Sequence, residues 1–479
     1  MKIFQFWPLR KLKTGASAAP RYVFYDQKEV DGSYRYYREP GIMASPYAHD
    51  YVSAMDFIFQ TYCDLVEPMQ EYYRGLKPME EAEYDINGDG AKEKLKDLTA
   101  EADVKAFQRT YKSDLRTKAC DTLRYLLPIA TKTNVGMFGN GRFFQYLLSH
   151  LYTSPFEECQ DIARSAHQQL NQTMPQYVRR AKASEYRAAT EKNMASLARE
   201  LLAGTTPRAE EAVVLLDGGE DRMAKRILEL GESSAEVLKS LKRDEADYFM
   251  ISAMLYPYLA HPFRQIREVV RSFSDDVRRK IITTYYGDRK TRRDRPYRAL
   301  ESGYTYTLDL VTDFGTYKDL MRHRMNTQLR QKFSPKLGFD MPEDLVTAGF
   351  RDRALACNAR AEELHDKLVS QFPLEASYTT LHGSKVRWLL GMNDREAMHL
   401  LELRTTPQGH PSYRRCSQMI HNAIKAAHPW RGEMMKFVDH NDYFWSRGDA
   451  EARQRVKEKE LDVKYGAPSG GAGGPGGGL

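Results

Sequence analysis

One short pattern occurs twice in this chain, 253 positions apart, and it constrains the fold more than any other feature. Each copy places an asparagine two residues before an arginine at the start of a helical pattern. The matched residues, first half with second, are Asn140 with Asn393, Arg142 with Arg395, Leu147 with Leu400, Leu148 with Leu401 and Tyr125 with Tyr378. The repetition predicts two related units rather than two or three unrelated domains.

The composition is that of a globular protein. Of 479 residues, 42% are hydrophobic and 11% aromatic, which requires buried cores and excludes disorder over most of the chain. Apolar runs are shorter than the about 18 residues of a membrane-spanning helix, so we expect no membrane partner. Five widely spaced cysteines without a C-x-x-C pair predict neither disulfides nor a metal site. A reducing, cytoplasmic location fits this cysteine usage best.

Helical periodicity dominates the pattern along the chain. Helices are predicted at about 48–75, 104–127, 138–152, 352–371, 393–404 and 411–427, the last opened by Pro411. Tyr304–Val311 alternates and is rich in Tyr, Thr and Val, which predicts a strand, and Thr312 or Asp313 can cap the helix that follows. We therefore expect an α+β fold of two tandem units, helix-rich with a mixed sheet in each.

Changes of composition divide the chain into four segments. We expect a first, degenerate unit at 21–185 and a charge-rich helical connector at 186–245. A second unit follows at 246–440, and 441–479 reads as a charged helix with a disordered Gly-rich tail.

The net charge of +7 favours anionic ligands such as nucleotides. Residues 278–298 contain nine basic side chains and two acidic ones, which is consistent with a solvated loop or with a loop that faces phosphate. No recognised nucleic-acid-binding fold accompanies this stretch, so nucleic acid is not expected as a partner.

The triplet Arg322-His323-Arg324 follows the predicted strand and helix. Within a continuous helix its two arginines would point about 200° apart, but at a helix end both could turn toward one anion. The alternative is a set of cations placed favourably at a helix C-terminus.

The second copy of the repeated pattern has a structural explanation of its own. Asn393 is a good N-cap and Glu396 completes the spacing of a capping box. Arg395, His399 and Glu402 then share one helical face, which is either solvated or part of a site.

These motifs together resemble the flavin-dependent thymidylate synthases. The segment Tyr304 to Arg324 ends in that family's Arg-His-Arg motif, and the second N-x-R helix ends in Arg404 as in the family's pattern. In the first half, Arg124, Leu127-Pro128, Thr133 and the N-x-R pair follow in the family's order. The resemblance covers roughly 250–430 and, less clearly, 45–185.

The resemblance implies reductive methylation of dUMP, or a related pyrimidine nucleotide, at C5. FAD would be the cofactor and methylenetetrahydrofolate the one-carbon donor, with NADPH or another donor reducing the flavin. The family forms its sites between subunits of a tetramer, so a chain of two units predicts a homodimer, a pseudo-tetramer of units.

The resemblance also assigns residues to the site. The expected FAD-binding residues are Arg322, His323, Arg324, Asn393, Arg395 and His399. The expected substrate-binding residues are Arg124, Arg404, Asn140 and Arg142. No catalytic side chain is assigned.

The chain also departs from the family's pattern. After the triplet, the family's Ser, Asn, Ser, Arg and Tyr are replaced by Thr327, Leu329, Lys332, Ser334 and Pro335. The two halves lose complementary arginines, since Leu151 stands opposite Arg404 and Ser377 opposite Arg124. One hypothesis is a single composite site built from both halves. The alternative is a non-catalytic flavin- or nucleotide-binding homologue that has lost the dUMP site.

Overall fold

The structure is a computed structural model of the full chain. It describes residues 24–445 except 88–89, 134–136, 138, 186–187, 190–191, 194–210, 218–234, 260, 293, 295, 297 and 303–304. The predicted Gly-rich tail and most of the predicted C-terminal charged helix therefore lie outside the described residues, and 441–445 contain no helix.

Helices make up most of the described chain. Those of the first half are α1 (Pro40–Met43), α2 (Ala48–Leu76), α3 (Glu101–Leu123), α4 (Gly141–Thr153), α5 (Glu157–Thr173) and α6 (Pro175–Val178). The central ones are α7 (Ala235–Leu255), α8 (Phe263–Ser272), α9 (Asp275–Tyr286) and α10 (Phe314–Leu320). The last are α11 (Glu343–Thr347), α12 (Arg351–Leu368), α13 (Asp394–Arg404), α14 (Pro411–Ala427) and α15 (Pro429–Met434).

The strands form two small sheets. They are β1 (Glu83–Tyr84), β2 (Glu93–Lys94), β3 (Val213–Asp217), β4 (Thr305–Asp313), β5 (Thr327–Arg330) and β6 (Lys385–Asn393). The larger sheet has the order β3-β4-β6-β5, and the smaller pairs β1 with β2. The helix-rich α+β class is confirmed, but every described strand pairing is antiparallel, so the sheets are not mixed.

Strand β3 lies inside the segment that was expected to be a helical connector. Its apolar run from Val213 to Leu215 pairs with Leu308–Leu310 of β4. A short apolar stretch of this kind is equally compatible with a buried helix, and only the distant partner strand makes it a sheet edge. The segment 186–245 thus contributes to the sheet of the second half.

Two large cores hold the chain together. The first joins α2 and α3 to α12 and to residues 345–381, and the second joins the large sheet to α7–α10, α13 and α14. A third, small cluster comprises Leu148, Ala163, Val178 and Ala181 of the α4–α6 region. Because the first core draws on both halves, the predicted boundary between units is not a boundary between cores.

The internal repeat extends well beyond the two N-x-R pairs. With the same offset, α3 overlaps α12, α4 overlaps α13, α5 overlaps α14 and α6 overlaps α15. Asn140 and Asn393 cap their helices with nearly identical backbone angles, φ −84 and ψ 173 against φ −85 and ψ 174. Each asparagine Oδ1 accepts a hydrogen bond from the backbone N three residues later at 2.9 Å. Residues 101–178 and 351–434 are called the first and second repeat below.

The repeats meet through a local two-fold relationship. The amide of Ile129 donates to the carbonyl of Thr380 at 2.8 Å, and the amide of its counterpart His382 donates to Leu127 at 2.9 Å. Each bond is the other with the repeats exchanged. The chain therefore contains, within one polypeptide, a pseudo-symmetric pair of the kind that two subunits would otherwise form.

Candidate functional site

Helix α10 ends before the Arg-His-Arg triplet. Asp313 is its N-cap, with Oδ1 accepting from the backbone N of Thr316 at 2.8 Å, and its last residue is Leu320. The triplet lies in the turn that follows, where its arginines are not held on opposite sides of a helix. Arg322 is partly exposed and Arg324 is exposed. This meets the condition under which both arginines can reach one anion.

Arg124 of the first repeat lies against α10. Its Nη1 is 3.4 Å from Oδ2 of Asp319, and the other carboxylate oxygen of Asp319 is 3.7 Å from Nη2 of Arg322. One buried carboxylate thus stands between arginines supplied by the first repeat and by the triplet. Arg124, Asp319, Arg322, His323 and Arg404 are called the arginine cluster below.

The Arg124 guanidinium has more hydrogen-bond donors than its one carboxylate partner, Asp319, engages. Its side chain is only 16% exposed, and within the described residues its Nε and Nη2 have no hydrogen-bond partner. Burial alone would lower the pKa of Arg124, but the nearby carboxylates, Asp319 foremost, raise it above its usual value, so the group stays charged. Buried charged donors without an acceptor are costly, and an anionic ligand would satisfy them.

Gly315 makes room for that guanidinium. A Cβ at this position would lie 3.1 Å from Nη2 of Arg124 and 2.9 Å from Oδ1 of Asp313. Any other residue would therefore push against the arginine or against the carboxylate that caps α10.

His323 is buried and bonded on both ring nitrogens. Nδ1 is 3.0 Å from Oε1 of Glu396, and Nε of Arg404 donates to Nε2 at 2.8 Å. Burial lowers the pKa of His323, and Arg404 lowers it further, whereas Glu396 opposes the shift. The ring is therefore neutral at pH 7 and holds Arg404 rather than presenting a nitrogen to a ligand.

The role of Glu396 corrects the sequence prediction. Its backbone N donates to Asn393 as expected, but its carboxylate binds His323 instead of returning to the N-cap as in a capping box. Sequence reasoning missed this contact because His323 lies 73 residues away. The one available signal was the spacing of Glu396 and Arg404, which places both on one side of α13.

The other residues predicted on α13 are held within the protein. Arg395 Nη1 is 2.6 Å from Oε1 of Glu301, and the Asn393 side chain caps the helix. The His399 ring lies 5.5 Å from the His323 ring, centroid to centroid. The His399 ring is thus adjacent to the arginine cluster, while Arg395 is paired with Glu301.

Glu402 lies on neither a solvated face nor a ligand site. It is 1% exposed, and its carboxylate accepts two hydrogen bonds from Arg289 at 2.8 and 2.5 Å. One arginine of the basic stretch 278–298 is therefore a buried anchor, which neither the solvated-loop nor the phosphate-facing interpretation predicted.

Asn140 and Arg142 make no described contact with the arginine cluster. Both are exposed at the start of α4, and Asn140 serves as the N-cap of that helix. No hydrogen bond or ion pair of the described residues joins either side chain to the cluster. The structure thus links Arg124 to Arg322 through Asp319, and Arg404 to His323, which is adjacent to Arg322 in the chain, whereas no described contact joins the first-half N-x-R pair to them.

A cleft of about 400 Å³ lies beside the cluster rather than in it. It opens between α3 and the start of α14 and is lined by Tyr125, His410 and Ser412 among others. Oγ of Ser412 is 2.9 Å from Nδ1 of His410 and 2.9 Å from Oγ1 of Thr316, which bonds to Asp313. A chain of hydrogen bonds therefore connects the cleft to the α10 N-cap beside Arg124.

The described residues offer neither a metal site nor a membrane-spanning helix. Within the described part of the chain, no group of three or more His, Cys, Asp or Glu could hold a metal ion. Among the same residues, no helix combines the length and apolar character needed to cross a membrane.

Comparison with known proteins gives concordant matches to both halves. The family described as thymidylate synthase complementing protein matches residues 17–176 and 289–430, regions that contain the two copies of the N-x-R pair. The chain is 30% identical over 444 residues to a UPF0159 protein of Chlamydia muridarum (strain MoPn / Nigg), covering 91% of this chain and 75% of the relative.

Two solved structures are also similar. One is the flavin dependent thymidylate synthase ThyX of Helicobacter pylori complexed with FAD and dUMP, 15% identical, covering 39% of this chain and 94% of that one, with a TM-score of 0.29. The other is a UMP/dUMP methylase PolB of Streptomyces cacaoi bound with 5-Br dUMP, 16% identical, covering 40% and 90%, with a TM-score of 0.30.

Proposed function

Because the chain belongs to the thymidylate synthase complementing protein family, we propose that it is an FAD-dependent enzyme that methylates a pyrimidine nucleotide at C5. The nucleotide is dUMP or a close relative, and methylenetetrahydrofolate supplies the one-carbon unit. The observation that carries the proposal is the Arg124 guanidinium, which is buried, charged and left with two unused donors among the described residues.

The nucleotide phosphate fits the arginine cluster. Arg124 and Arg404 enter from different repeats, and each guanidinium can bind phosphate oxygens in a bidentate manner. Asp319 balances part of this positive charge before the nucleotide arrives. We therefore assign Arg124 and Arg404 to the substrate, and the predicted substrate role of Asn140 and Arg142 stays a prediction.

The residues after α10 suit the flavin pyrophosphate. Arg322 and Arg324 lie in a turn and are accessible, unlike His323 between them, and the His399 ring lies 5.5 Å from the His323 ring. Two accessible arginines beside each other provide the donors that a pyrophosphate needs. Asn393 contributes by starting α13 and so fixing Arg395, since its side chain is committed to the cap. When bound, reduced FAD supplies the hydride.

The test of the proposal has two steps. Purified protein incubated with FAD should acquire a yellow visible spectrum that survives desalting. The loaded protein should then release tritium from 5-tritiated dUMP in the presence of methylenetetrahydrofolate and NADPH, with 5-tritiated UMP run in parallel. Protein that stays colourless with added FAD rules out the proposal.

One observation favours a non-catalytic homologue as second candidate. The positions that replace the family's Ser, Asn, Ser, Arg and Tyr begin in β5, an edge strand on which Leu329 is 64% exposed. An exposed leucine there supplies no hydrogen bond to a nucleotide. Rescue of a thymidine auxotroph would exclude this candidate, and failure to rescue by a protein that binds FAD would support it.

We also infer that the chain assembles as a homodimer. The two-fold relationship at Ile129 and His382 replaces one contact between units by an internal one, so one partner chain completes a set of four units. Light scattering after size exclusion should give twice the chain mass of 55.3 kDa. A monomer or a tetramer of chains would contradict the inference.

A further inference from the structure

Three side chains of the second half, Glu396, His323 and Arg404, form a line of hydrogen bonds. The similar proteins assign no role to this line. Glu396 binds Nδ1 of His323 at 3.0 Å, and Arg404 binds Nε2 of the same ring at 2.8 Å. His323 and Glu396 side chains are 4% and 8% exposed. The line therefore lies within the protein and ends at an arginine of the proposed nucleotide site.

The chemistry of the line allows one arrangement of protons. A guanidinium N–H can only donate, so Nε2 of His323 must carry no proton where Arg404 bonds to it. The neutral ring then has its proton on Nδ1, and that N–H donates to the Glu396 carboxylate. Glu396 thereby selects the tautomer that can accept a hydrogen bond from Arg404.

The Arg404 guanidinium is held on a second side by an aromatic ring. Its Cζ lies 5.4 Å from the centroid of Tyr413, within the range of a cation–π contact. Its described hydrogen bond uses Nε alone, which leaves the fork of two Nη groups to bind a planar or tetrahedral anion. The guanidinium is thus oriented before any ligand binds.

We propose that Glu396 is a positioning residue for nucleotide binding, acting through neutral His323 to orient Arg404 toward the phosphate. The proposal rests on the proposed function, because it requires that Arg404 contacts the nucleotide. It extends that function by adding a residue outside the family's assigned set and by predicting how binding depends on pH.

Protonation of His323 would break the line at Arg404. The titratable and charged groups at the ring are Glu396 and His399 of α13 and Arg404 at the end of that helix. A second N–H on the ring would point at the N–H of Arg404, so the acceptor is lost and two cations face each other. Nucleotide affinity should therefore fall on the acid side of neutrality.

Glu396→Gln and Glu396→Leu separate the hydrogen bond from the side chain's bulk. The Gln oxygen still accepts from Nδ1–H, whereas Leu cannot. We expect Glu396→Leu to weaken dUMP binding at pH 8 by about tenfold, the scale of one lost hydrogen bond to a charged group, and Glu396→Gln to stay within about threefold. Glu402→Gln is the matched control, because Glu402 is equally buried on the same helix but bonds to Arg289.

Calorimetry with dUMP and ¹⁵N NMR of the histidine ring measure the two halves of the proposal. Wild type, Glu396→Gln and Glu402→Gln should show His323 protonated on Nδ1, and Glu396→Leu should show a mixture of tautomers. Unchanged dUMP affinity in Glu396→Leu, or an unchanged tautomer, overturns the proposal.

The same experiments also cover the cases in which dUMP does not bind or the Leu variant does not fold. If no form binds dUMP, the proposed substrate is wrong, while the NMR comparison still decides whether Glu396 sets the tautomer. If Glu396→Leu does not fold, His323→Gln replaces it, since an amide oxygen accepts from Arg404 without titrating. Protonation of the phosphate weakens dUMP binding to both proteins alike, so between pH 8 and pH 5 the affinity of His323→Gln should fall less than that of wild type, and an equal fall overturns the proposal.

Discussion

Pro128 and Leu381, which the repeat offset pairs with each other, form an antiparallel bridge at the seam between the two repeats. A residue that meets its own counterpart marks the local two-fold axis. Tyr125 and Tyr378 lie on either side of this axis, and each packs against the start of a helix of the other repeat, at His410 and at Phe156. This interlocking carries Arg124 of the first repeat into the site of the second.

Gly315→Ala tests whether space beside Arg124 matters. The new Cβ would press on Nη2 of Arg124 and on Asp313, so we expect dUMP affinity to fall about tenfold, equal to about 1.4 kcal/mol. Calorimetry measures the change. Gly75→Ala near the end of α2 is the matched control, because nothing lies within 4 Å of its added Cβ. Equal dUMP affinities of the two variants would show that the space at Gly315 does not affect nucleotide binding.

Arg322→Ala tests the flavin end of the site. We expect the purified variant to lose its visible flavin spectrum, because an arginine–pyrophosphate pair is a strong, bidentate contact. Arg279→Ala, an exposed arginine of α9, should keep the spectrum. If Arg322 serves only as a cation placed favourably at the C-terminal end of α10, the variant retains flavin and its free energy of unfolding changes by less than about 1 kcal/mol.

Glu402→Leu tests the buried anchor of the basic stretch. Removal of the carboxylate leaves the Arg289 guanidinium buried at 3% exposure without its partner. We expect the free energy of unfolding to fall by about 3–5 kcal/mol, measured by urea denaturation. The double variant Arg289→Met, Glu402→Leu should recover much of this loss, and a double variant as unstable as the single one would contradict the pairing.

His382 should make the fold sensitive to mild acid. Its Nδ1 donates to the carbonyl of Leu127 at 2.8 Å, so Nε2 accepts from Nζ of Lys318 at 3.0 Å. Burial lowers the pKa of His382 well below its usual range, and Lys318 lowers it further. The unfolded chain therefore binds a proton near pH about 6.5 that the folded chain binds only at lower pH.

The contribution of neutral His382 to stability is thus complete above pH about 6.5 and is lost as the pH falls through this window. Urea denaturation at pH 8 and pH 5.5 should show a smaller loss of unfolding free energy for His382→Asn than for wild type. Equal losses in the two proteins would show that another group carries the pH dependence.

Local features of the fold could be predicted from the sequence. Asp313, Asn393 and Pro411 start their helices as expected, because caps depend on residues within one turn. Comparison of the two halves also indicated that Arg124 and Arg404 complement each other. Partners distant in sequence could not be predicted, since nothing local to Glu396 identifies His323 and nothing local to β3 identifies β4.

The central claim is that one nucleotide site is built from both repeats. Calorimetric titration of wild type and Arg124→Ala with dUMP, in protein loaded with FAD, tests it most directly. We predict one site per chain in wild type, and loss of at least about 100-fold in affinity in the variant, since a bidentate arginine–phosphate contact disappears while the flavin spectrum is retained. Binding of dUMP by Arg124→Ala with wild-type affinity would contradict the composite site.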